Sequence, residues 1–279
     1  MNEYPAIPRA ADAPDRLFEQ GHLWVLEKID GATLRFQLRE AGFLRFGDET
    51  TVYDTPDAVP TPYRPAVRRV REQLDRDTLR AAVDDVEQLV FFGESTHAHR
   101  IAYDWDRLPP FLGFDVWDGE EFLTPGAVQR VFEQLGLRPV NAVERELPAR
   151  DFDPDSYTVP DSNWYDGPAE GVVVRNKRGD RATLNHPEFH GEAETVTVDA
   201  TAEELATRYA TRHRLQTLAR ELDARDEPVI VDTLHQRAVE ALAREHYREL
   251  FCAADPVDRS AFRSAVAARV REFLTDRYS

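Results

Sequence analysis

The amino-acid sequence predicts a mixed α+β protein, in which a domain of β-strands and helices precedes a small all-α domain. Between residues 21 and 195 the chain has short apolar runs of strand length, rich in β-branched and aromatic residues. After about residue 198 apolar residues recur at three- and four-residue spacing, which is typical of amphipathic helices. We therefore predict a first domain over residues 1–197 and a second over 198–279.

The individual elements follow from local signals. The strand-like runs are LWVLEKI, TLRFQL, LVFFGE, FLGFDVW and GVVVRN. One helix is well marked between them, because Thr124 suits the N-cap, Pro125 suits the first helical position and Gly136 suits the end. Residues 148–169 are rich in Pro and Asp and predict a long connecting loop. The C-terminal domain contains three stretches that predict at least three helices.

Length and composition indicate a globular protein of the cytoplasm. A chain of 279 residues with 42% hydrophobic residues is able to bury a full core. No apolar run approaches the roughly 18 residues that a membrane span requires, and the start does not resemble a secretory signal. The only cysteine, Cys252, has no partner for an internal disulfide, which fits a reducing compartment.

The charge pattern indicates adaptation to high salt. The net charge is −17, and Lys28 and Lys177 are the only lysines among 35 basic residues. An acidic surface with so little lysine is typical of halophilic proteins, whose solvated carboxylates maintain solubility. At molar salt the Debye length is about 3 Å, so distant acidic residues barely oppose a nucleic acid. The charge therefore does not exclude a polyanionic partner.

Lys28 is the candidate nucleophile of the chain. An arginine keeps its proton near neutrality, whereas a lysine amine becomes neutral and nucleophilic when burial or positive charge favours that form. A chain that avoids lysine is expected to retain it where such an amine is needed. Lys28 lies in a predicted strand and is followed by Asp30 and by Gly31, which permits a tight turn.

Lys-x-Asp-Gly is the first signature motif of the covalent nucleotidyltransferases, and the chain resembles their ATP-dependent RNA ligases. The resemblance covers about 160 residues and implies a nucleotidyltransferase domain of ATP-grasp-like antiparallel sheets plus helices. The further motifs occur in the family's order: FFGE ending at Glu94 resembles motif III, HRIAYD (99–104) its ligase continuation, FLGFDVWD (111–118) motif IIIa, EGVVVR (170–175) motif IV, and RATLNHPEF (181–189) the region around motif V.

The resemblance implies a role for each motif residue. Lys28 would attack the α-phosphate of ATP and form a covalent lysyl-AMP. Glu94 would accept hydrogen bonds from the ribose hydroxyls, and Phe114 would stack on adenine. Glu170 would help to hold Mg²⁺ or Mn²⁺, which are hard cations that prefer carboxylate oxygen. Other residues of the same motifs are expected to bind the nucleotide: Glu27, Asp30, Gly31 and Arg175.

Two departures from the family pattern concern the phosphates. Motif V normally supplies lysines, yet Thr183 stands where a lysine is expected. Arg181 could supply a fixed charge instead, because a phosphate contact does not need a neutral amine. Lys177 could also reach the phosphates from a hairpin. The family has an arginine shortly after motif I, and Arg45 is the residue available for that role.

The helical C-terminal domain favours one branch of the superfamily. DNA ligases and capping enzymes typically append an OB-fold of short alternating strands, whereas the phage-type nick-sealing RNA ligases append a small helical domain. The expected activity is the joining of RNA 3′-OH and 5′-phosphate ends, free or in a nicked duplex, with ATP. The alternatives are a DNA-strand ligase and a nucleotide- or RNA-binding protein without turnover, which the altered motif V would explain.

Several residues keep two interpretations. Phe114 could belong to a core instead of stacking on a base, and Lys177 could belong to an exposed hairpin turn. His97 and His99 alternate and could bind a metal, but no third ligand is close in sequence. The arginines of the C-terminal helices could bind RNA phosphates or pair with neighbouring glutamates.

Overall fold

The chain is described by a computed structural model that covers residues 1–191 and 195–278. Internal contacts divide it into two compact units. The described parts of residues 1–96 and 100–192 form the first unit, and those of residues 97–99 and 193–279 form the second. The boundary predicted after residue 197 lies near this division, but His97–His99 belongs to the second unit.

The first unit is built on two antiparallel sheets, as the fold class predicted. Among the described residues one sheet has the strand order β7-β1-β8-β9 and the other has the order β4-β3-β2-β5-β6. The strands are β1 (His22–Lys28), β2 (Ala32–Leu38), β3 (Leu44–Gly47), β4 (Val52–Tyr53), β5 (Val90–Ser95), β6 (Phe111–Trp117), β7 (Ala142–Pro148), β8 (Gly171–Asn176) and β9 (Arg181–Asn185).

Helices flank the sheets in the first unit and make up most of the second. In the first unit they are α1 (Arg16–Glu19), α2 (Arg64–Gln73), α3 (Arg76–Ala82) and α4 (Pro125–Gln134), and in the second α5 (Ala202–Tyr209), α6 (Arg212–Asp223), α7 (Val231–Glu245), α8 (Tyr247–Phe251) and α9 (Arg259–Tyr278). Short 3-10 helices lie at Ala10–Asp12, Pro56–Ala58, Thr61–Tyr63, Val86–Gln88, Ala149–Asp151 and Pro187–Phe189.

Each sheet buries an apolar face of its own. In the four-stranded sheet, alternate residues of β1 and β8 pack together, among them Leu23, Val25, Val172 and Val174. In the five-stranded sheet the buried face carries stacked aromatic residues, which pack against α2 and α4. The opposite faces carry both apolar and charged side chains, and Lys28 of β1 and Glu94 of β5 belong to them.

The marked helix of the first unit forms as α4. Pro125 is its first residue, and Gly136 lies beyond its end with a φ of 76°. Thr124 occupies the N-cap, but its side chain makes no capping hydrogen bond. The predicted loop over residues 148–169 is also present, interrupted by the 3-10 helix Ala149–Asp151.

The C-terminal stretches form helices, and the first stretch divides into two. Thr201 and Glu204 form a capping box at the start of α5. Thr211 then caps α6 by accepting a hydrogen bond from the backbone N–H of Arg214. A new helix therefore starts there, separate from α5. Apolar residues of α5, α6, α7 and α9 form one core. No helix in the described residues is long and apolar enough to cross a membrane.

Candidate active site

The candidate site lies where β1 and β8 meet at their ends. The register pairs Lys28, the last residue of β1, with Gly171, the first residue of β8. Glu170 therefore comes next to Lys28, and the Lys28 Nζ lies 2.6 Å from the Glu170 Oε1. The side chains are 27% and 10% exposed, respectively. The amine is thus accessible to a ligand but is held by a nearly buried carboxylate.

Glu94 lies close to this ion pair. Burial raises the pKa of the Glu94 carboxyl well above its usual value, the charge of Glu170 raises it further, and the charge of Lys28 opposes both. Gly31 makes room for Glu94, because a Cβ at that position would lie 2.6 Å from the backbone oxygen of Ser95 and 2.9 Å from the Glu94 Cγ. Glycine is therefore required for the close pairing of β2 with β5 beside the site.

Asp30 anchors the segment that resembles the ligase continuation. Its Oδ2 accepts hydrogen bonds from the backbone N–H groups of Arg100 and Ile101, at 2.6 and 2.8 Å. The backbone N–H of Asp30 donates to the Tyr103 hydroxyl at 2.9 Å. Asp30 is only 4% exposed. The two hydrogen bonds to its side chain therefore fix the turn that follows Lys28.

Glu27 points away from the Lys28 amine, because adjacent residues of a strand lie on opposite faces. It accepts a hydrogen bond from the Ser162 hydroxyl at 2.6 Å and one from the backbone N–H of Asn163 at 3.3 Å. Burial raises the pKa of the Glu27 carboxyl, and these hydrogen bonds oppose the shift. Glu27 therefore holds the long loop over residues 148–169 through these two hydrogen bonds.

Arg175 and Arg181 do not join Lys28. They pair with each other four residues along β8 and β9 from the site, and both bind the fully buried Asp115 of the other sheet, at 3.0 and 2.9 Å. Arg181 also donates to the Tyr4 hydroxyl, which donates in turn to Asp115 at 2.8 Å. The sequence assigned both arginines to the nucleotide, but their guanidiniums are held in this buried cluster.

Phe114 is partly buried among aromatic side chains of the first unit. The pairing of β5 with β6 shifts between Phe92 and Gly93, so Phe114 lies at an irregularity of its strand. Its ring meets the Tyr4 ring edge-on with centroids 5.0 Å apart. Arg175 donates to its carbonyl oxygen at 2.8 Å. The buried cluster thus holds the backbone of Phe114 in place.

The two remaining predicted cations also lie away from the Lys28 amine. Lys177 occupies the turn between β8 and β9, is 55% exposed and contacts the Glu146 Oε2 at 2.8 Å. It therefore has the exposed hairpin position. Arg45 pairs across the sheet with Gln37. Gln37 lies four residues, roughly 13 Å, along β2 from the residue that pairs with Glu94.

His97 and His99 form a close pair within the second unit. Their Nε2 atoms are 3.0 Å apart, and both rings pack on Tyr247 with centroids 4.4 and 4.6 Å away. In residues 1–191 and 195–278 no three His, Cys, Asp or Glu side chains are grouped in a way that could hold a metal ion. The pair therefore has no third protein ligand among the described residues.

Comparison with known proteins identifies the family. A sequence model of the family described as RNA ligase matches residues 21–187, which include Lys28, Glu94, Phe114 and Glu170. The chain belongs to the RNA ligase family. No curated protein matches it.

Solved structures of RNA ligases share the fold. A mutant of a Naegleria gruberi RNA ligase with ATP and Mn is 16% identical, with a TM-score of 0.51 over 68% of this chain and 57% of that one. Another mutant of that ligase, without ligand, is 16% identical, with a TM-score of 0.50 over 68% and 56%. An archaeal ATP-dependent RNA ligase is 16% identical, with a TM-score of 0.49 over 99% and 66%. This chain thus spans less than two thirds of the length of these proteins.

In this member of the RNA ligase family, sequence reasoning missed three residues around the site. The charge of Glu49 also raises the pKa of Glu94, so Glu49 adds to the negative charge that Glu94 experiences. Asp115 and Tyr4 form the cluster that supports Phe114. Asp115 lies inside the FLGFDVWD motif and could have been noticed there, whereas no local pattern marks Tyr4 or Glu49.

Proposed function

We propose that this chain is an ATP-dependent RNA ligase that acts through a covalent lysyl-AMP at Lys28. The observation that carries the proposal is the Lys28 amine, accessible at the end of β1 and 2.6 Å from Glu170, with Glu94 beside the pair. These residues fall within the segment that matches the family. The proposed activity concerns the joining of RNA 3′-OH and 5′-phosphate ends.

Lys28 is the group that would react. Its neutral amine would attack the α-phosphorus of ATP, so that a P–N bond forms while the P–O bond to pyrophosphate breaks and the amine proton is lost. The AMP would next pass to an RNA 5′-phosphate, and a 3′-OH would displace it to seal the strand. An arginine is unable to replace Lys28, because a guanidinium does not lose its proton near neutrality.

Glu94, Glu170 and Phe114 would hold the nucleotide in position for this attack. The partly buried carboxylate of Glu94 would accept hydrogen bonds from the ribose hydroxyls. Phe114 would offer a ring to adenine, with its backbone held by Arg175. Catalysis of phosphoryl transfer depends mainly on such positioning and on stabilisation of charge. Each of these residues would therefore contribute through geometry.

Glu170 would hold a divalent metal such as Mg²⁺ or Mn²⁺ together with phosphate oxygens of ATP. Carboxylate oxygens are the ligands that both cations prefer, and Mg²⁺ is often bound by one or two carboxylates plus substrate phosphates. The Glu170 carboxylate lies 2.6 Å from the Lys28 amine, so a metal held there would be close to the reacting phosphate. The metal would offset the negative charge of the phosphates.

The finer aspects of the proposal concern substrate and setting. RNA ends, free or in a nicked duplex, are the proposed substrate, and the helical C-terminal unit resembles that of the phage-type nick-sealing RNA ligases. We place the protein in the cytoplasm, which the single Cys252 supports. The net charge of −17 supports activity at high salt.

A second function is favoured by one specific observation. Lys177 is held by Glu146 and Arg181 by Asp115, so neither of the cations proposed to replace the motif V lysine lies beside Lys28. A nucleotide- or RNA-binding protein without turnover would tolerate this loss. Such a protein would bind ATP but would not form the covalent adduct.

Labelling with ATP separates the two functions. The purified chain is incubated with α-labelled ATP and Mg²⁺ or Mn²⁺ in molar KCl and is then denatured. A ligase retains a covalent, acid-labile label that disappears in Lys28→Ala. Lys28→Arg is the matched variant, because it keeps the positive charge and removes only the nucleophile. Absence of label in the wild type would establish the binding protein instead.

A further inference from the structure

A second concave surface lies at the other end of the five-stranded sheet. It has a volume of about 800 Å³ and is formed by the hairpin between β2 and β3, by β4 and the residues that follow it, and by residues of α2 and α3. We call it the arginine pocket, after the side chains that line it: Arg39, Arg45, Arg71 and Arg76. The ATP reaction proposed above does not use it.

The pocket has an excess of positive charge. Asp54 is the one carboxylate among its lining residues, and outside the lining Glu87 contacts Arg39 at 3.1 Å. Arg76 donates to the backbone oxygens of Gly42 and Arg71 at 3.2 and 3.4 Å, and these acceptors carry no charge. Burial and the charge of Arg76 lower the pKa of Arg71. In a chain of net charge −17 such an accumulation of guanidiniums needs an explanation.

An aromatic side chain lies beside these guanidiniums. Phe43 is 59% exposed, and it lines the pocket from the tip of the hairpin. The hairpin is fixed by α3. Arg76 donates to the backbone oxygen of Gly42 at 3.2 Å, and Arg80 donates to the backbone oxygen of Glu40 at 3.1 Å. Gly42 has a φ of 89°, a conformation that favours glycine. The backbone that carries the exposed ring is thus fixed.

We propose that the arginine pocket binds the sugar-phosphate backbone of an RNA strand, with one base stacked on Phe43. This inference rests on the proposed function and assigns a surface to its RNA substrate. Guanidiniums match phosphate oxygens in a two-pronged geometry and stay charged at any working pH. An exposed ring beside a positively charged groove is the arrangement that binds single strands, because every base has a face that stacks.

Binding measurements on the intact chain test this surface. A fluorescently labelled, 5′-phosphorylated RNA oligonucleotide is titrated with protein at several KCl concentrations. We expect Phe43→Ala to weaken binding at least about fivefold. Arg39→Gln should weaken binding and lower the slope of log K against log salt by roughly 0.7, the value for one lost phosphate contact on a single strand.

Matched variants outside the pocket control for general effects. Ile230→Ala removes an exposed hydrophobic side chain from the second unit, and Arg150→Gln removes an exposed arginine from the first. Both should bind RNA within about twofold of the wild type. Equal affinity of Phe43→Ala, Arg39→Gln and the wild type would overturn the inference, as would a wild type that binds no RNA. Equal competition by an acidic peptide would assign the pocket to another partner and would also overturn it.

The failure of this inference is distinguishable from failure of the ligase function. If ATP labels Lys28 while RNA affinity is indifferent to Phe43 and Arg39, only the surface is wrong. If no label forms while RNA binding depends on the pocket, the inference about the pocket is confirmed and the proposed ligase function is wrong. Thermal unfolding of each variant shows that a loss of affinity does not reflect a loss of fold.

Discussion

The Lys28 amine lies 2.6 Å from the Glu170 carboxylate, where two paired strands place their ends together. This ion pair holds the candidate nucleophile beside the group proposed to hold a metal. The amine reacts only in its neutral form, so the approach of ATP must weaken the pair. We therefore propose two roles for Glu170, which holds the Lys28 amine in the free protein and would bind the cation when ATP is present.

Glu170→Ala should impair labelling of the protein by ATP at least about tenfold, because it removes the carboxylate that orients Lys28. It should also shift the dependence of labelling on Mg²⁺ or Mn²⁺ to higher concentrations. The measurement is covalent label against metal concentration, with Glu221→Ala as an exposed carboxylate control. A metal titration that coincides with that of the wild type would remove Glu170 from the metal site.

Glu94→Gln should stabilise the protein in the absence of ATP, although it disables the site. The pKa of Glu94 is raised in the folded state. At a pH well below the ordinary value of 4.5 the carboxyl is therefore protonated in both the folded and the unfolded state, and it does not lower the free energy of unfolding. As the pH rises above that value, the unfolded state releases the proton first and the folded state loses stability. The melting temperatures of variant and wild type should therefore diverge from pH 5 to pH 8. A constant difference over that range would contradict the raised pKa.

Asp115→Asn should destabilise the first unit by about 3–5 kcal/mol, because it leaves the guanidiniums of Arg175 and Arg181 buried without their carboxylate. Urea unfolding followed by tryptophan fluorescence measures this unit selectively, since Trp24, Trp105, Trp117 and Trp164 all belong to it.

The control for Asp115 is a surface pair. Arg150 and Asp151 are 3.6 Å apart, and their side chains are 82% and 55% exposed. Asp151→Asn should therefore cost less than about 1 kcal/mol. Equal effects of the two substitutions would show that the Asp115 cluster does not hold the sheets.

Asp30→Ala should destabilise the first unit by about 1.5–3 kcal/mol, because two backbone N–H groups lose a charged acceptor. It should also lower labelling, since the turn after Lys28 is no longer fixed. Asp30→Asn keeps an oxygen that accepts from both N–H groups and should recover much of the stability. If both variants are as stable as the wild type, the anchoring role of Asp30 is wrong.

The sequence predicted the parts of the fold that local patterns determine. Strong apolar runs marked β1, β2, β5, β6 and β8, turn and capping residues marked α4, and apolar spacing marked the C-terminal helices. The edge strand β7, with its exposed charges, has no such signal. The pairing of strands also depends on contacts far apart along the chain, which a single sequence does not show.

The residues of the candidate site also divide into those that local motifs reveal and those whose partners are distant in the sequence. Lys28, Glu94 and Glu170 were found from their motifs, and the structure brings them together. Arg175 and Arg181 were assigned to phosphates from their positions in motifs, but Asp115 of the other sheet binds both. The sequence did not reveal that partner, because the two sheets meet only in the folded chain.

The most direct test of the account is the mass of the protein after exposure to ATP and divalent metal, followed by mapping of peptides. The account predicts an added adenylate on the peptide that contains Lys28, and none on the peptide of Lys177, the other lysine in the chain. A chain that binds ATP yet never gains this mass on Lys28 would contradict the central claim.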